Sequence, residues 1–257
     1  MVSRVEVAVA ERGTGRVATV TVDNPGKLNI VDPAAIAALE AAVVKLGEDE
    51  KLRALVLRGA GDKAFIGGAD IRAMATLDPE SARGFIGALH RTCDSLRRLP
   101  VPAIARLSGF ALGAGLELAA ACDLRVAAEG ARFGMPEVRV GIPSVIEAAL
   151  LPQLIGWGRA RRLLYTGEII GSAEAERWGL VERVVPGQAL DAAVEEWLDA
   201  ILAAGPNAIR LQKKLISDWE ELPTDAAIRR GIDAFAAAYE TDEPRERMAA
   251  FMQRRRG

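Results

Sequence analysis

Two carboxylates and two glycine-rich joints are the parts of this chain best suited to chemistry. Glu117 is the sole ionisable group between Arg106 and Asp123, inside Gly109-Phe110-Ala111-Leu112-Gly113-Ala114-Gly115-Leu116-Glu117-Leu118. An ionised carboxylate among small and apolar residues is costly unless it is paired or hydrogen-bonded, so its presence there demands an explanation. A helix that starts near Ala114 puts the backbone N–H of that residue and the Glu117 side chain three positions apart on one face. An oxyanion donor then stands beside a carboxylate. The alternative is a Glu117 that reaches solvent or caps a neighbouring turn.

The second joint is Phe65-Ile66-Gly67-Gly68-Ala69-Asp70-Ile71, between an apolar strand and a helical segment. Paired glycines allow unusual φ/ψ values and close approach of another molecule to the backbone. Free amide N–H groups at a helix start form an anion or oxyanion site, although a Gly-Gly pair taken alone reads as a tight turn. A third segment, Phe133-Gly134-Met135-Pro136-Glu137, sets another carboxylate on a loop after a strand. Alone, such a glutamate is solvated. Two carboxylates facing one substrate are what proton chemistry beside an activated carbonyl needs, one to deliver a proton and one to activate water. Oxyanion donors would hold the enolate formed between those events.

Other chemistries have less to work with. His90 is the only histidine and lies in an amphipathic run, GFIGALHRTCDSLRRL, so it is expected to pack or face water rather than serve a nucleophile. Cys93 and Cys122 are too few for a disulfide framework or a zinc site. No metal motif is present, and Gly113-Ala114-Gly115 lacks the third glycine and acidic partner of a dinucleotide fingerprint.

These residues need a rigid frame. The chain has 257 residues, half of them hydrophobic and 26% charged, enough for one α/β domain with a large core or one with a helical extension. Thirty-three Lys and Arg oppose 35 Asp and Glu, a net charge of −2, with no basic block before the terminal RRR. That balance argues against a nucleic-acid partner. The longest apolar stretch, Gly109 to Cys122, spans 14 residues around Glu117, short of the roughly 20 that cross a bilayer. The start, MVSRVEVAVAERGTG, lacks the apolar region and cleavage site of a signal peptide. A soluble, cytoplasmic protein without a membrane partner is expected.

The first part alternates strands and helices. Val5 to Ala10 and Arg16 to Val22 flank RGTG, a hairpin signal. A helix over Pro33 to Glu48 follows Asp32 as N-cap. Leu52 to Leu57 reads as a strand buried on both faces. Then come a helix over Glu80 to Arg98, a strand over Ala103 to Leu107, a helix over Ala114 to Cys122 and a strand over Leu124 to Ala127. This alternation implies a parallel or mixed sheet of βα units. From about Pro143 helices dominate: Ser144 to Leu154, Gly158 to Tyr165, Ser172 to Trp178, Ala189 to Ala204, Asn207 to Glu221, Thr224 to Tyr239 and Pro244 to Arg255. Only a strand over Leu180 to Val185 interrupts them, and Ser, Thr or Asn are placed as N-caps of several. So long a helical appendage either covers its own sheet or packs on a neighbouring subunit.

In this order the motifs resemble the crotonase superfamily, in particular its enoyl-CoA hydratase/isomerase members. The likeness starts at Asn24-Pro25-Gly26-Lys27-Leu28-Asn29 and runs through the two glycine-rich joints to the tail Met248-Ala249-Ala250-Phe251-Met252-Gln253-Arg254-Arg255. It implies an α/β fold, a spiral of ββα units over residues 1–190 holding a CoA-thioester site. Residues 191–257 would be a helical region that builds trimers, often paired into hexamers. The backbone N–H groups of Ala69 and Ala114 would form the oxyanion hole, with Ala114 standing where the family usually has glycine. By the same resemblance Glu137 exchanges the proton at the α-carbon, and Glu117 helps hold and activate the water that attacks the β-carbon. Gly67, Gly68, Asp70 and Ile71 would line the thioester slot, with Lys27 near the CoA phosphates or adenine. No cofactor or metal is implied, since coenzyme A is part of the substrate. Members specialised for isomerisation, decarboxylation or hydrolysis often lose one glutamate, so both together favour hydration. An enoyl-CoA isomerase or another lyase or hydrolase of this type is the alternative. A non-catalytic binding protein on the same fold is a third.

The chain departs from the family after Glu137. A Gly-x-x-Pro and a glycine-rich turn are usual there, whereas this chain reads Gly141-Ile142-Pro143-Ser144-Val145-Ile146-Glu147. Ser144 and Glu147 could reshape the acyl pocket, but Glu147 is expected to face solvent on the next helix.

Overall fold

The computed structural model describes residues 3–254. Its first unit is an antiparallel hairpin, β1 (Arg4–Arg12) and β2 (Gly15–Asp23), joined at the predicted turn. Helix α1 (Pro33–Gly47) follows, with Asp32 accepting the Ala35 N–H as N-cap. Then β3 (Leu52–Gly59), buried along nearly its whole length, pairs in parallel with β2. The short β4 (Ala64–Ile66) departs for a second sheet, and α2 (Ile71–Met74) and α3 (Pro79–Arg97) return.

The same step repeats. Strand β5 (Ala103–Leu107) joins the first sheet, β6 (Phe110–Leu112) the second, and α4 (Ala114–Ala121) closes the unit. Strand β7 (Leu124–Ala128) and β8 (Arg132–Gly134) begin a third turn, which continues through α5 (Leu151–Ile155) and α6 (Trp157–Thr166). Strand β9 (Ile169–Gly171), α7 (Ser172–Trp178) and β10 (Arg183–Val185) complete the two sheets. Their strand orders are β1-β2-β3-β5-β7-β10 and β4-β6-β8-β9. This is the expected spiral of ββα units on an α/β frame.

Helices α8 (Leu190–Ala203), α9 (Pro206–Glu221), α10 (Thr224–Ala238) and α11 (Glu243–Arg254) form the C-terminal region. The role of covering the chain's own sheet falls to the first two of them. Helix α8 covers the first sheet with Leu190, Ala193, Val194 and Leu198 buried against β3, β5 and β7. Lys213 of α9 is buried and pairs with Asp123 at 2.6 Å, tying that helix to the sheet. Helix α10 leaves Ile228, Ile232 and Phe235 exposed at helical spacing.

Several local expectations need correction. Residues 144–154 are not one helix: Ile146–Leu150 form a 3-10 turn, and α5 starts only at Leu151 with Pro152 at its front. The strand over 180–185 shrinks to Arg183–Val185. Ser172 and Thr224 open α7 and α10 as their first helical residues and Asn207 is the second of α9; the N-cap positions belong to Gly171, Pro223 and Gly205, with no side-chain cap. Proline at the front of α9 supplies the preset φ that a cap residue would otherwise help secure. Arg255 of the family-like tail lies outside the described residues. Among them, no helix is long and apolar enough to cross a membrane.

Candidate active site

The second sheet explains why three distant segments meet. Strands β4, β6 and β8 are adjacent and parallel, with Ile66 opposite Ala111 and Leu112 opposite Gly134. Their C-terminal ends lead directly into Gly67-Gly68-Ala69, Gly113-Ala114 and Met135-Pro136-Glu137. Ligands of parallel sheets bind outside such carboxyl ends. Glycine permits the close packing: a Cβ on Gly115 would overlap the Ile66 carbonyl oxygen, and one on Gly113 would collide with Oε1 of Glu137. Gly113 also has φ +51°, a backbone few other residues adopt. The Glu137 carboxylate is thereby held against the N-terminal end of α4.

The two proposed oxyanion donors are free to serve. Among the described residues neither the Ala69 N–H nor the Ala114 N–H donates to a protein acceptor, whereas the amides of Gly67, Asp70 and Gly113 do. Gly67 N–H donates to Leu28 O at 2.8 Å, Asp70 N–H to Val31 O at 2.9 Å and Gly113 N–H to Gly134 O at 2.9 Å. Ala114 opens α4 and is not among the residues of positive φ. Alanine therefore meets no φ barrier at this position, and its N–H points to no protein acceptor.

Glu117, one turn into α4, is only 4% exposed, so the solvent-reaching alternative is excluded. Its Oε1 accepts the Ala148 N–H at 3.3 Å. Burial, and then the charge of Glu137, push its carboxyl from the ordinary 4.5 up to about 8; the Ala148 N–H opposes this and Glu147 adds to it. The folded chain thus binds this proton more tightly than the unfolded one. Its stabilising effect is fully present below about pH 4.5 and is lost as pH rises to about 8. We expect wild type to lose stability on the order of 5 kcal/mol relative to Glu117→Gln across that interval. Urea unfolding of both proteins at pH 5 and pH 9 measures it, and parallel losses would contradict it.

The remaining candidates surround these groups. Glu137 sits in a 3-10 turn over Pro136–Val140, half-buried, with Oε2 accepting from the Ser144 hydroxyl at 2.7 Å. Gly67 is packed against Leu28, and Gly68 has φ +122°. Asp70 accepts the Arg72 N–H as the N-cap of α2, so its oxygen is already engaged, and Ile71 is exposed. Lys27 lies exposed in a 3-10 turn over Pro25–Lys27, beside the Leu28 carbonyl that meets Gly67.

Three contributors escaped sequence reasoning. Asn29 is fully buried at φ +54° and donates to the carbonyls of Ala60 and Ala64, clamping the Lys27 loop to the start of β4. Its signal was present in Asn24-Pro25-Gly26-Lys27-Leu28-Asn29, since asparagine tolerates left-handed backbone. Glu147 is not solvent-facing: it is 3% exposed, in the 3-10 turn beside Ala148. The turn replaces the expected helix, and its tighter winding directs Glu147 inward. His90 is half-exposed and bonds Oε1 of Glu147 through Nδ1 at 2.9 Å; no residue spacing pointed to that pair.

Comparison with known proteins adds to this geometry. The family profile for enoyl-CoA hydratase/isomerase matches residues 12–257. A crotonyl-CoA hydratase of Syntrophomonas wolfei is 36% identical over 94% of this chain and 93% of its own length. A short-chain-enoyl-CoA hydratase of Clostridium acetobutylicum is 34% identical over the same shares. The crystal structure of an enoyl-CoA hydratase from Bacillus anthracis superposes with a TM-score of 0.91 at 33% identity, covering 96% of both chains.

Proposed function

Because the chain belongs to the enoyl-CoA hydratase/isomerase family, we propose that it adds water reversibly across the α,β double bond of a 2-enoyl-CoA. The observation that carries this reading is the convergence of β4, β6 and β8 on Ala69, Ala114 and Glu137, with Glu117 facing them from α4. The thioester oxygen accepts from the N–H groups of Ala69 and Ala114, which stabilise the enolate as charge develops on it. Gly67 and Gly68 let the thioester approach the backbone, and the exposed Lys27, next to the Leu28 that packs on Gly67, meets the CoA phosphates.

Burial and the charge of Glu137 keep a proton on Glu117. With the proton on Glu117, the site is set for dehydration. Glu137 removes the α-proton of a 3-hydroxyacyl-CoA, the C–O bond breaks, and Glu117 gives its proton to the departing hydroxide. Hydration is the reverse. Glu117 takes a proton from the attacking water, whose hydroxide bonds the β-carbon, and Glu137 returns a proton to the α-carbon. Each cycle balances as one water gained or lost.

Incubation with crotonyl-CoA tests the reading: loss of the conjugated enoyl band together with a mass gain of one water is expected. Conversion of a 3-enoyl-CoA without water gain would place the chain among the isomerases instead. The exposed Ile228, Ile232 and Phe235 of α10 support a homotrimer or a dimer of trimers, in which this face packs on another copy. Light scattering should give three or six chains; a monomer would contradict it.

A further inference from the structure

Glu147 is a buried carboxylate that the reaction above does not use. Oε1 meets Nδ1 of His90 at 2.9 Å, the Cys93 thiol interacts with the same carboxylate from one turn along α3, and Oε2 is buried with no hydrogen-bond partner among the described residues. A buried carboxylate so incompletely compensated is costly, and its field falls on whatever stands beside it. Beside it stands the site. The next residue, Ala148, donates its N–H to Oε1 of Glu117 at 3.3 Å, and the turn carrying both packs on α3 and α4. From α3 the facing groups are His90 and Cys93, whose thiol is pushed well up by burial and then by the charges of Glu147 and Glu117. From α4 the facing group is Glu117, and Glu137 faces Glu117 from its own 3-10 turn. Strands β4 and β6, which also pack on α4, contribute no ionisable residue.

We propose that Glu147 is a positioning residue of the reaction: anchored by His90, it fixes the turn that holds Glu117 and sets a third negative charge beside the catalytic pair. It touches neither substrate nor reacting atoms. Its charge makes Glu117 hold its proton to higher pH, which widens the range over which that proton is available to the reaction. This rests on the proposed role of Glu117 and adds to it a regulator of that group.

The pH dependence of kcat and of kcat/KM with crotonyl-CoA tests the proposal, in wild type, Glu147→Gln, Glu147→Asp and His90→Ala. Glu147→Gln keeps the shape and the His90 bond but removes the charge, so the alkaline limb should move down by about one pH unit, a rate loss of about tenfold on that limb. Glu147→Asp keeps the charge and should leave the limb near its wild-type position. His90→Ala, at a half-exposed position, releases the carboxylate from its Nδ1 anchor, and the limb should move down by less. A residue with only a packing role would lower kcat at every pH without moving the limb. An unmoved limb in both Glu147→Gln and His90→Ala overturns the proposal. Glu117→Gln runs beside them: if it is inactive while the limb stays fixed, Glu147 alone is struck out. If it is fully active, the role of Glu117 falls and this proposal falls with it.

Discussion

Glutamine at either Glu117 or Glu137 is expected to lower turnover of crotonyl-CoA by about 10²–10⁴-fold, the usual contribution of a general acid–base group. Glutamine keeps the shape and can still accept the Ala148 N–H or the Ser144 hydroxyl that each carboxylate now receives. It cannot exchange a proton. The two losses should not add: each group moves a different proton of one reaction, so removing either disables the whole, and the double variant falls little below the weaker single one. The variants also differ from one another. Glu137→Gln should stop exchange of the α-proton of a bound saturated thioester, whereas Glu117→Gln should leave that exchange in place. Steady-state rates and deuterium exchange by mass spectrometry read both, and full activity in either variant would remove that residue from the chemistry.

Proline at position 114 removes one donor while sparing the fold. Ala114 is the first residue of α4, where proline's fixed φ suits a helix start and its missing N–H breaks no helical bond. Gly113, without a Cβ, tolerates the ring that follows it. The N–H lost is the one that no protein acceptor uses, so stability should change little. Losing one oxyanion donor costs about 10²–10³-fold in kcat. Ala114→Gly, which keeps the N–H, should stay close to wild type. Circular dichroism and kcat together decide it: a folded Ala114→Pro with undiminished kcat would exclude that N–H from the oxyanion hole.

Much of the frame was legible in residue patterns, and the reason is length. Strands such as Leu52–Gly59 and helices such as Pro33–Gly47 and Pro79–Arg97 run long enough to show burial, periodicity and a capping aspartate. The second sheet was not legible. Its strands β4, β6, β8 and β9 have three residues each, too few for a period of two to appear. That sheet brings Ala69, Ala114 and Glu137 together, so motif order and resemblance pointed to partners whose meeting place the local sequence did not display. Glu147 was misplaced for a related reason. The segment Ser144–Leu154 has helical composition, but Pro143 precedes it and Pro152 interrupts it, and the chain between the two prolines winds as a 3-10 turn that carries Glu147 inward. Asn29 works through long-range bonds to Ala60 and Ala64, which no local spacing encodes.

The most direct measurement is conversion of crotonyl-CoA in ¹⁸O-labelled water, by wild type and by the two glutamine variants, read by mass spectrometry of the product. The expected result is one ¹⁸O at the β-carbon and one solvent proton at the α-carbon, formed rapidly by wild type and lost together in Glu117→Gln and Glu137→Gln. Wild type that leaves crotonyl-CoA free of label, or variants that label it as fast as wild type, would contradict hydration by this carboxylate pair.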